Sequence, residues 1–368
     1  MSSRIQVAIV GAGPGGLLLG RMLRQYGVDF TVFERETSAA QRDQGGTLDL
    51  HAGTGQHALR EAGLFDEFLR FARYEGQHTL MYDRQGALIH EKPVDDAEDR
   101  PEIDRRHLRE ILLGSIPERA IRWGHQLQGV EPRASGGFEL QFAGREPMAF
   151  DVVVGADGAW SRLRPMLSDA VPVYVGSTLY ELSIDDVDQR HPEIARFVGQ
   201  GTALIEGEDQ AIIVQRNSNG NVRVYAGVHQ REDVDQRGAK GSTTSREAIA
   251  ARFAGWGPIV PKLFAAAGAA VRPWPIYALP VDHRWDPRPG LTLIGDAAHL
   301  MPPAGEGANL ALLDAVELAR ALAGGADRHA AVRAHEEAMF TRSAAAARRA
   351  MAMMSGAVDM RSALEPSE

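Results

Sequence analysis

The first residues whose spacing carries chemistry are Gly11-Ala-Gly13-Pro-Gly-Gly16, which fit G-x-G-x-x-G. In such a turn the first glycine bends the chain, the second lets a pyrophosphate reach the backbone, and the third lets the next helix pack closely. The flanks agree with that reading. Residues 5–10 are a β-branched run, residues 17–26 place apolar side chains at helical spacing, Gly27 stops the helix, and residues 28–33 form a second apolar strand. The unit is strand, turn, helix, strand over about thirty residues, and Glu34 stands where a carboxylate would bind a ribose hydroxyl. The unpaired N–H groups and positive end of the helix would face phosphates. Dinucleotide binding and a parallel sheet are expected.

Two later segments deliver an acidic residue at the end of an apolar run. They read Asp151-Val-Val-Val-Gly-Ala-Asp157-Gly158-Ala-Trp-Ser-Arg162 and Gly295-Asp296-Ala-Ala-His299-Leu-Met-Pro302-Pro303-Ala-Gly305-Glu-Gly307-Ala-Asn309. Runs 152–155 and 291–295 have the pattern of strands returning to the first sheet with a ligand loop at their ends. Asp296 can accept from a ligand hydroxyl, and the backbone of loop 302–307 is open to close approach by a ligand. A helix is expected from Asn309 onward, with its positive end toward that ligand. His299 reads as a structural hydrogen-bonding residue rather than a general acid or base.

These three motifs in this order resemble those of the class A flavoprotein aromatic hydroxylases, single-component FAD-dependent monooxygenases with the fold of p-hydroxybenzoate hydroxylase. The resemblance spans residues 7–313. It implies an α/β fold: a Rossmann-type FAD-binding domain, an inserted antiparallel-sheet substrate domain and a long C-terminal helix. It also implies FAD and NADPH as cofactors, with O2 and a small-molecule substrate as partners. One oxygen atom would pass from a flavin C4a-hydroperoxide to an aromatic or enolic compound. Gly45-Gly-Thr-Leu-Asp49-Leu-His51, Pro101-Glu-Ile-Asp-Arg105-Arg-His-Leu108-Arg and loop 295–303 are similar to the versions in the tetracycline-inactivating flavin monooxygenases. The cofactor contacts so implied are Gly11, Gly13, Gly16, Glu34, Arg35, Asp49, Arg105, Asp157, Asp296, Pro303, Gly305, Gly307 and Asn309. Arg105 is the candidate for positioning the ring.

The departures bear on the substrate. After Pro303 the loop reads Ala-Gly-Glu-Gly, one residue shorter than in the tetracycline enzymes and without their aromatic residue. Glu181 and Arg223 stand where those enzymes carry a Gln and a His that contact the antibiotic. With Pro302 they are the candidate substrate contacts. The substrate expected is therefore an aromatic or polyketide molecule, tetracycline or a smaller phenol, and antibiotic resistance is one role beside catabolism and biosynthetic tailoring. The alternatives are a ligand-sequestering flavin-fold protein with little turnover, an oxidase, or a flavin-dependent halogenase. The halogenase reading wants Trp-x-Trp-x-Ile-Pro, where this chain has Trp274-Pro-Ile-Tyr.

The elements that must position these residues divide the chain into 1–170 (FAD domain), 171–280 (substrate sheet), 281–325 (return to the FAD domain) and 326–368 (C-terminal helix and tail, with 361–368 frayed). Within the second part, 211–215 and 222–228 alternate around Asn217-Ser-Asn-Gly-Asn, a hairpin pattern. Thr244 and Glu247 have the spacing of a capping box. Residues 309–323 and 326–354 read as long helices.

Composition excludes several other classes. The 368 residues are 44% hydrophobic and 24% charged, ordinary globular usage with room for about two domains. A net charge of −9 without a basic block argues against nucleic acid. With no cysteine, thiolate metal sites, Cys nucleophiles and dithiol redox chemistry are excluded, and redox work falls to a cofactor. The 12 histidines show no helical metal spacing with an acidic partner, so no metal is expected. No membrane span is expected, since the longest apolar stretch, near 263–271, is about half the required length. The N-terminus lacks a secretory pattern, and the expected location is the cytoplasm.

Overall fold

The computed structural model describes residues 5–41, 45–95, 99–230, 245–324 and 327–354. The expected βαβ unit forms. Strand Gln6–Val10 leads through the glycine turn into helix Pro14–Gln25 and then strand Asp29–Phe33. Pro14 takes the first helical position, where its missing N–H is not needed. The sheet is parallel throughout and five-stranded, in the order Leu291–Leu293, Val152–Gly155, Gln6–Val10, Asp29–Phe33, Ile121–Arg122. Both returning runs enter it as their apolar character requires, because a strand covered on two faces has no polar side. Val7, Ile9, Val152 and Val154 face one core with Leu17, Leu18 and Leu19, while Ala8, Val10, Val153, Leu291 and Leu293 face the other.

A second sheet has seven strands, in the order Arg272–Ala278, Val173–Ile184, Val222–His229, Gln210–Arg216, Thr202–Glu206, Thr79–Asp83, Leu88–Lys92. The hairpin around Asn217 forms as expected. Two of the strands come from outside segment 171–280: Thr79–Asp83 pairs parallel with Thr202–Glu206 and carries Leu88–Lys92 on its edge. Leu88–Lys92 alternates weakly because an edge strand is exposed on both sides, so its sequence gives little strand signal. Strand Val222–His229 alternates strictly. Tyr180, Leu182, Val222, Val224 and Ala226 bury against Ile249, Phe253, Val260 and Leu263 of the covering helices. A period of two then sends Glu181, Arg223 and Tyr225 to the opposite face, toward the first domain.

Two helix starts differ from expectation. The helix expected from Asn309 begins at Gly307 and runs to Ala323, so Asn309 lies in its first turn and faces inward. Thr244 lies outside the described residues, and the cap of helix Arg246–Arg252 is Ser245, which accepts from the Ala248 N–H at 3.1 Å. The frayed tail, 361–368, also lies outside the described residues. The C-terminal helix, Arg328–Met354, is clamped to the first sheet by buried Glu336, which accepts from Trp285 Nε1 at 3.0 Å and Thr292 Oγ1 at 2.7 Å. Burial raises the pKa of Glu336 against those two donors.

Candidate flavin site

The glycine turn is shaped by close approach. Gly11 has φ +111°, and a side chain there would collide with the Ala156 carbonyl; one on Gly16 would collide with the Gly11 carbonyl. The turn is thereby pressed against the end of strand Val152–Gly155 and the Asp157 loop. At Gly13, by contrast, no described atom beyond its two chain neighbours lies within 4 Å of where a Cβ would sit. Gly13 is also the residue that precedes the helix, with no side chain capping its N–H groups. Open backbone donors at a helix start suit a pyrophosphate.

Glu34 reaches back to the turn. Its carboxylate accepts from the Ala12 N–H at 2.8 Å and the Glu36 N–H at 3.0 Å, which fixes it at the end of its strand. Arg35 is exposed beside it. Arg109 is buried rather than solvated, donating to the Ala39 carbonyl and to Glu36.

Asp157 accepts from the Arg162 N–H at 2.7 Å through one oxygen, while Oδ1 is buried with no hydrogen-bond partner among the described residues. Burial raises its pKa, with Ser161 and the Arg162 N–H opposing. An orphaned buried acceptor is costly unless a ligand hydroxyl completes it. Asp296 is exposed, and its carboxylate points toward the Gly307 helix start. Between the two motifs lies Arg164, a buried cation the sequence reading missed. It donates to the carbonyls of Ala159, Asp296 and Ala297 at 2.9, 3.1 and 2.8 Å. Burial lowers its pKa, and Asp157 and Asp296 oppose. An arginine placed between Leu163 and Pro165 was the available signal.

Asn309 organises the other side. Its Nδ2 donates to the carbonyls of Asp49 and Gly305 at 2.8 and 2.9 Å, and Oδ1 accepts from the N–H groups of His51 and Gly55 at 2.9 and 3.2 Å. The side chain sequence reasoning offered as a cofactor contact is therefore fully engaged with backbone, and it acts by holding Asp49 beside Gly305. Gly305 has φ +79°, and its missing side chain would stand 3.2 Å from Asp49 Oδ1. Pro302 is buried, whereas Pro303 and Gly305 are exposed. Behind this loop His299 donates from Nε2 to Asp314 Oδ2 at 2.6 Å, the structural role expected of it. Burial disfavours charge on this imidazole, but Asp314 outweighs it and raises the His299 pKa. Asp314 is held down at about 2: burial alone would raise it, and His299, His335 and Arg342 overcome that.

The sheet meets this assembly at Gly45 and Gly46. Glu181 is 4% exposed and accepts from Trp274 Nε1 at 2.7 Å and Arg223 Nη1 at 3.3 Å, with Arg272 at 3.7 Å. A buried carboxylate requires such partners. Tyr225, Glu181's cross-strand neighbour, brings its hydroxyl against Gly46, and a side chain there would collide with it. Burial pushes the Tyr225 pKa to about 12, with Glu181 raising it further and Arg105 and Arg223 opposing. Arg105 opens its helix with its N–H on the Gly46 carbonyl at 3.1 Å. Tyr225 was legible in principle, being two residues from Arg223 on the same strand.

Contacts link these pieces: Glu34 to the glycine turn, the turn to the Asp157 loop, Arg164 to the Asp296 motif, Asn309 to Asp49 and Gly305, and Tyr225 to Gly46. Open backbone at Gly13, an unpaired buried acceptor at Asp157 and an exposed glycine at Gly305 fit FAD. Fold and site define a flavoprotein of the class A monooxygenase type. A family model described as "FAD binding domain" matches residues 4–354. Monooxygenase asqM of Emericella nidulans is 30% identical over 374 residues, covering 87% of this chain and 84% of the relative. Among solved structures, Klebsiella pneumoniae HpxO complexed with FAD and uric acid has a TM-score of 0.79 at 22% identity, covering 95% of this chain and 88% of that one. The tetracycline destructase Tet(51) has a TM-score of 0.72 at 19% identity, covering 93% and 88%. The chain belongs to this FAD-binding-domain family and is an FAD-dependent monooxygenase. Among the described residues no helix is long and apolar enough to cross a membrane.

Proposed function

We propose that this monooxygenase draws electrons from NADPH and hydroxylates an aromatic or enolic small molecule held between the Glu181–Arg223–Tyr225 face and the Asp49–Gly305 loop. The observation that carries the reading is the convergence at Gly45 and Gly46, where that face meets Arg105 and the loop. Bound FAD supplies the electron transfer and oxygen activation that no side chain of this chain can provide. Gly11, Gly13, Gly16 and Glu34 hold the adenosine and pyrophosphate end, with Arg35 at its edge. Asp157 and Asp296 accept from ribityl hydroxyls. Gly305, Gly307 and Pro303 let backbone approach the ring, and Arg105 positions it.

On the substrate side, Arg105 and Arg223 stand close enough to the Tyr225 hydroxyl to oppose the rise that burial and Glu181 impose on it, so two cations are at hand for a substrate oxygen bearing negative charge, such as a phenolate or enolate. Tyr225, held well above neutral pH as a phenol, remains a donor to that oxygen. The Gly45 and Gly46 contacts bring the sheet against the segment that leads to Asp49. Glu181 is engaged by Arg223, Arg272 and Trp274, so it orders those cations. An antibiotic that needs a free amide at this position would not find one, and this pattern favours a phenol or enol other than tetracycline. The uric acid held by HpxO and the tetracycline destructases among the structural neighbours support a small-molecule substrate.

The test is NADPH consumption by the FAD-loaded protein with and without tetracycline, then with a panel of phenols, followed by mass spectrometry. Stimulation by a phenol with a product one oxygen heavier supports the reading. A tetracycline product one oxygen heavier would reverse the substrate preference, and no stimulation by any phenol or enol would sink the hydroxylase assignment.

A further inference from the structure

Strands Thr47–Asp49 and Glu102–Asp104 form a two-stranded antiparallel ribbon, with Thr47 opposite Asp104 and Asp49 opposite Glu102. Leu48 and Ile103 point into the first core. The other face is wholly polar and carries three carboxyl groups, yet it is largely covered, with Thr47 buried and Asp49, Glu102 and Asp104 half-buried. The missing side chain of Gly76 would stand 2.8 Å from Glu102 Cβ and Cγ, and Asp104 accepts from the Ser218 N–H and Asn217 Nδ2 at the hairpin tip. Arg73 is the cation that reaches in. Its Nη2 lies 3.2 Å from Asp104 Oδ1 and 3.2 Å from Thr47 Oγ1, so it serves Asp104 and the hydroxyl rather than Glu102.

Glu102 Oε2 meets Thr47 Oγ1 at 2.6 Å, and the same hydroxyl lies 3.0 Å from the Ile103 carbonyl. A hydroxyl has one hydrogen and two lone pairs. With Glu102 ionised, that hydrogen must go to Glu102 and the Ile103 carbonyl loses it. With Glu102 protonated, Glu102 donates to Thr47, Thr47 donates to Ile103 and accepts from Arg73, and each contact has a hydrogen. The groups facing Glu102 are thus Thr47 and Asp49 from the partner strand, Asp104 from its own, Arg73, and backbone only at Gly76. His51 joins through Asp49, Nε2 to Oδ2 at 2.8 Å. Burial, then Asp49, raises the Glu102 pKa to about 7, with Thr47 and Arg73 opposing and Asp104 adding to the rise.

We propose that Glu102 gains and loses a proton under physiological conditions and that its ionisation, felt by Asp49 across the ribbon, controls how well the Asp49–Gly305 side of the site accepts FAD. A second carboxylate one cross-strand pair away repels the Asp49 carboxylate and disturbs its place beside Gly305. Like charges directly opposite are unfavourable. This rests on Asp49 and Gly305 lining the FAD site.

The experiment titrates FAD into apoprotein by flavin fluorescence from about pH 5.5 to 8.5, for the wild type and Glu102→Gln. The expected result is a several-fold loss of affinity through about pH 7 in the wild type, absent in Glu102→Gln, which keeps the low-pH affinity. Persistence of the step in the variant, or a flat wild-type profile, overturns the proposal. An infrared difference spectrum of the wild-type apoprotein across the same range needs neither FAD nor a variant. Loss of a protonated-carboxyl band near neutrality is expected, and no such band overturns the proposal even if the variant misfolds. A titrating band with no FAD binding at any pH would instead strike the flavin site.

Discussion

Arg164 Nη2 donates to the Asp296 carbonyl at 3.1 Å, and this bond makes one rigid piece of two motifs 132 residues apart. The guanidinium also holds Ala159 and Ala297. Removing it leaves three carbonyls to find other partners in a buried place. Arg164→Met is expected to lower stability by about 1.5–3 kcal/mol and to weaken FAD binding. Chemical denaturation and FAD titration would show this, and a variant with wild-type values for both would mean that the motifs hold their places alone.

Asp296 gives the complementary case. Its side chain is exposed, so Asp296→Ala should leave unfolding within about 0.5 kcal/mol of the wild type. FAD affinity should nonetheless fall by about 1.5–3 kcal/mol, because a bound hydroxyl loses a charged acceptor. An unchanged FAD dissociation constant would remove Asp296 from the site.

Asn309→Asp is predicted to be worse than its small change suggests. The amide donates to two carbonyls, and a carboxylate would face both with lone pairs. Each unsatisfied buried group costs about 1–3 kcal/mol. Both stability and FAD binding should fall, and equal behaviour of Asn309→Asp and the wild type would show that the Gly305 loop does not depend on this amide.

At the domain contact, Gly46→Ala drives a methyl group into the Tyr225 hydroxyl, and overpacking of this kind costs about 1–3 kcal/mol. Tyr225→Phe removes the colliding oxygen. The double variant is therefore expected to recover part of the loss, as read by a double-mutant cycle of thermal unfolding. Strict additivity would show that the two groups do not meet.

The His299–Asp314 pair predicts a pH window. Asp314 is depressed to about 2, so its contribution is present above its ordinary 3.8 and is lost as pH falls toward 2. His299 is raised, so its contribution is complete below its ordinary 6.5 and is lost as pH climbs through the folded value. The pair stabilises most between about pH 4 and 6.5. Asp314→Asn should flatten stability above that window and cost about 3–5 kcal/mol, since His299 and Arg342 lose a buried partner. A retained slope in the variant would assign it to another group.

The sequence alone determined the βαβ unit, the two returning strands and the three acidic stations at Glu34, Asp157 and Asp296. Those features follow from local rules: apolar runs in a covered sheet, glycines where backbones touch, and acidic residues at strand ends. It determined the hairpin around Asn217 for the same reason. Only the tertiary structure decided what the polar side chains do once buried. Asn309 turns inward because three backbone groups from the distant segment 49–55 and one from its own loop surround it, Glu181 becomes a hub because two arginines and a tryptophan converge on it, and Arg164 spans two loops. Strands 79–83 and 88–92 join the far sheet through a parallel pairing with residues 202–206 that no local pattern encodes. Hydrogen-bond partners and burial are set by segments far apart in the chain, and a single sequence carries no record of which segments meet.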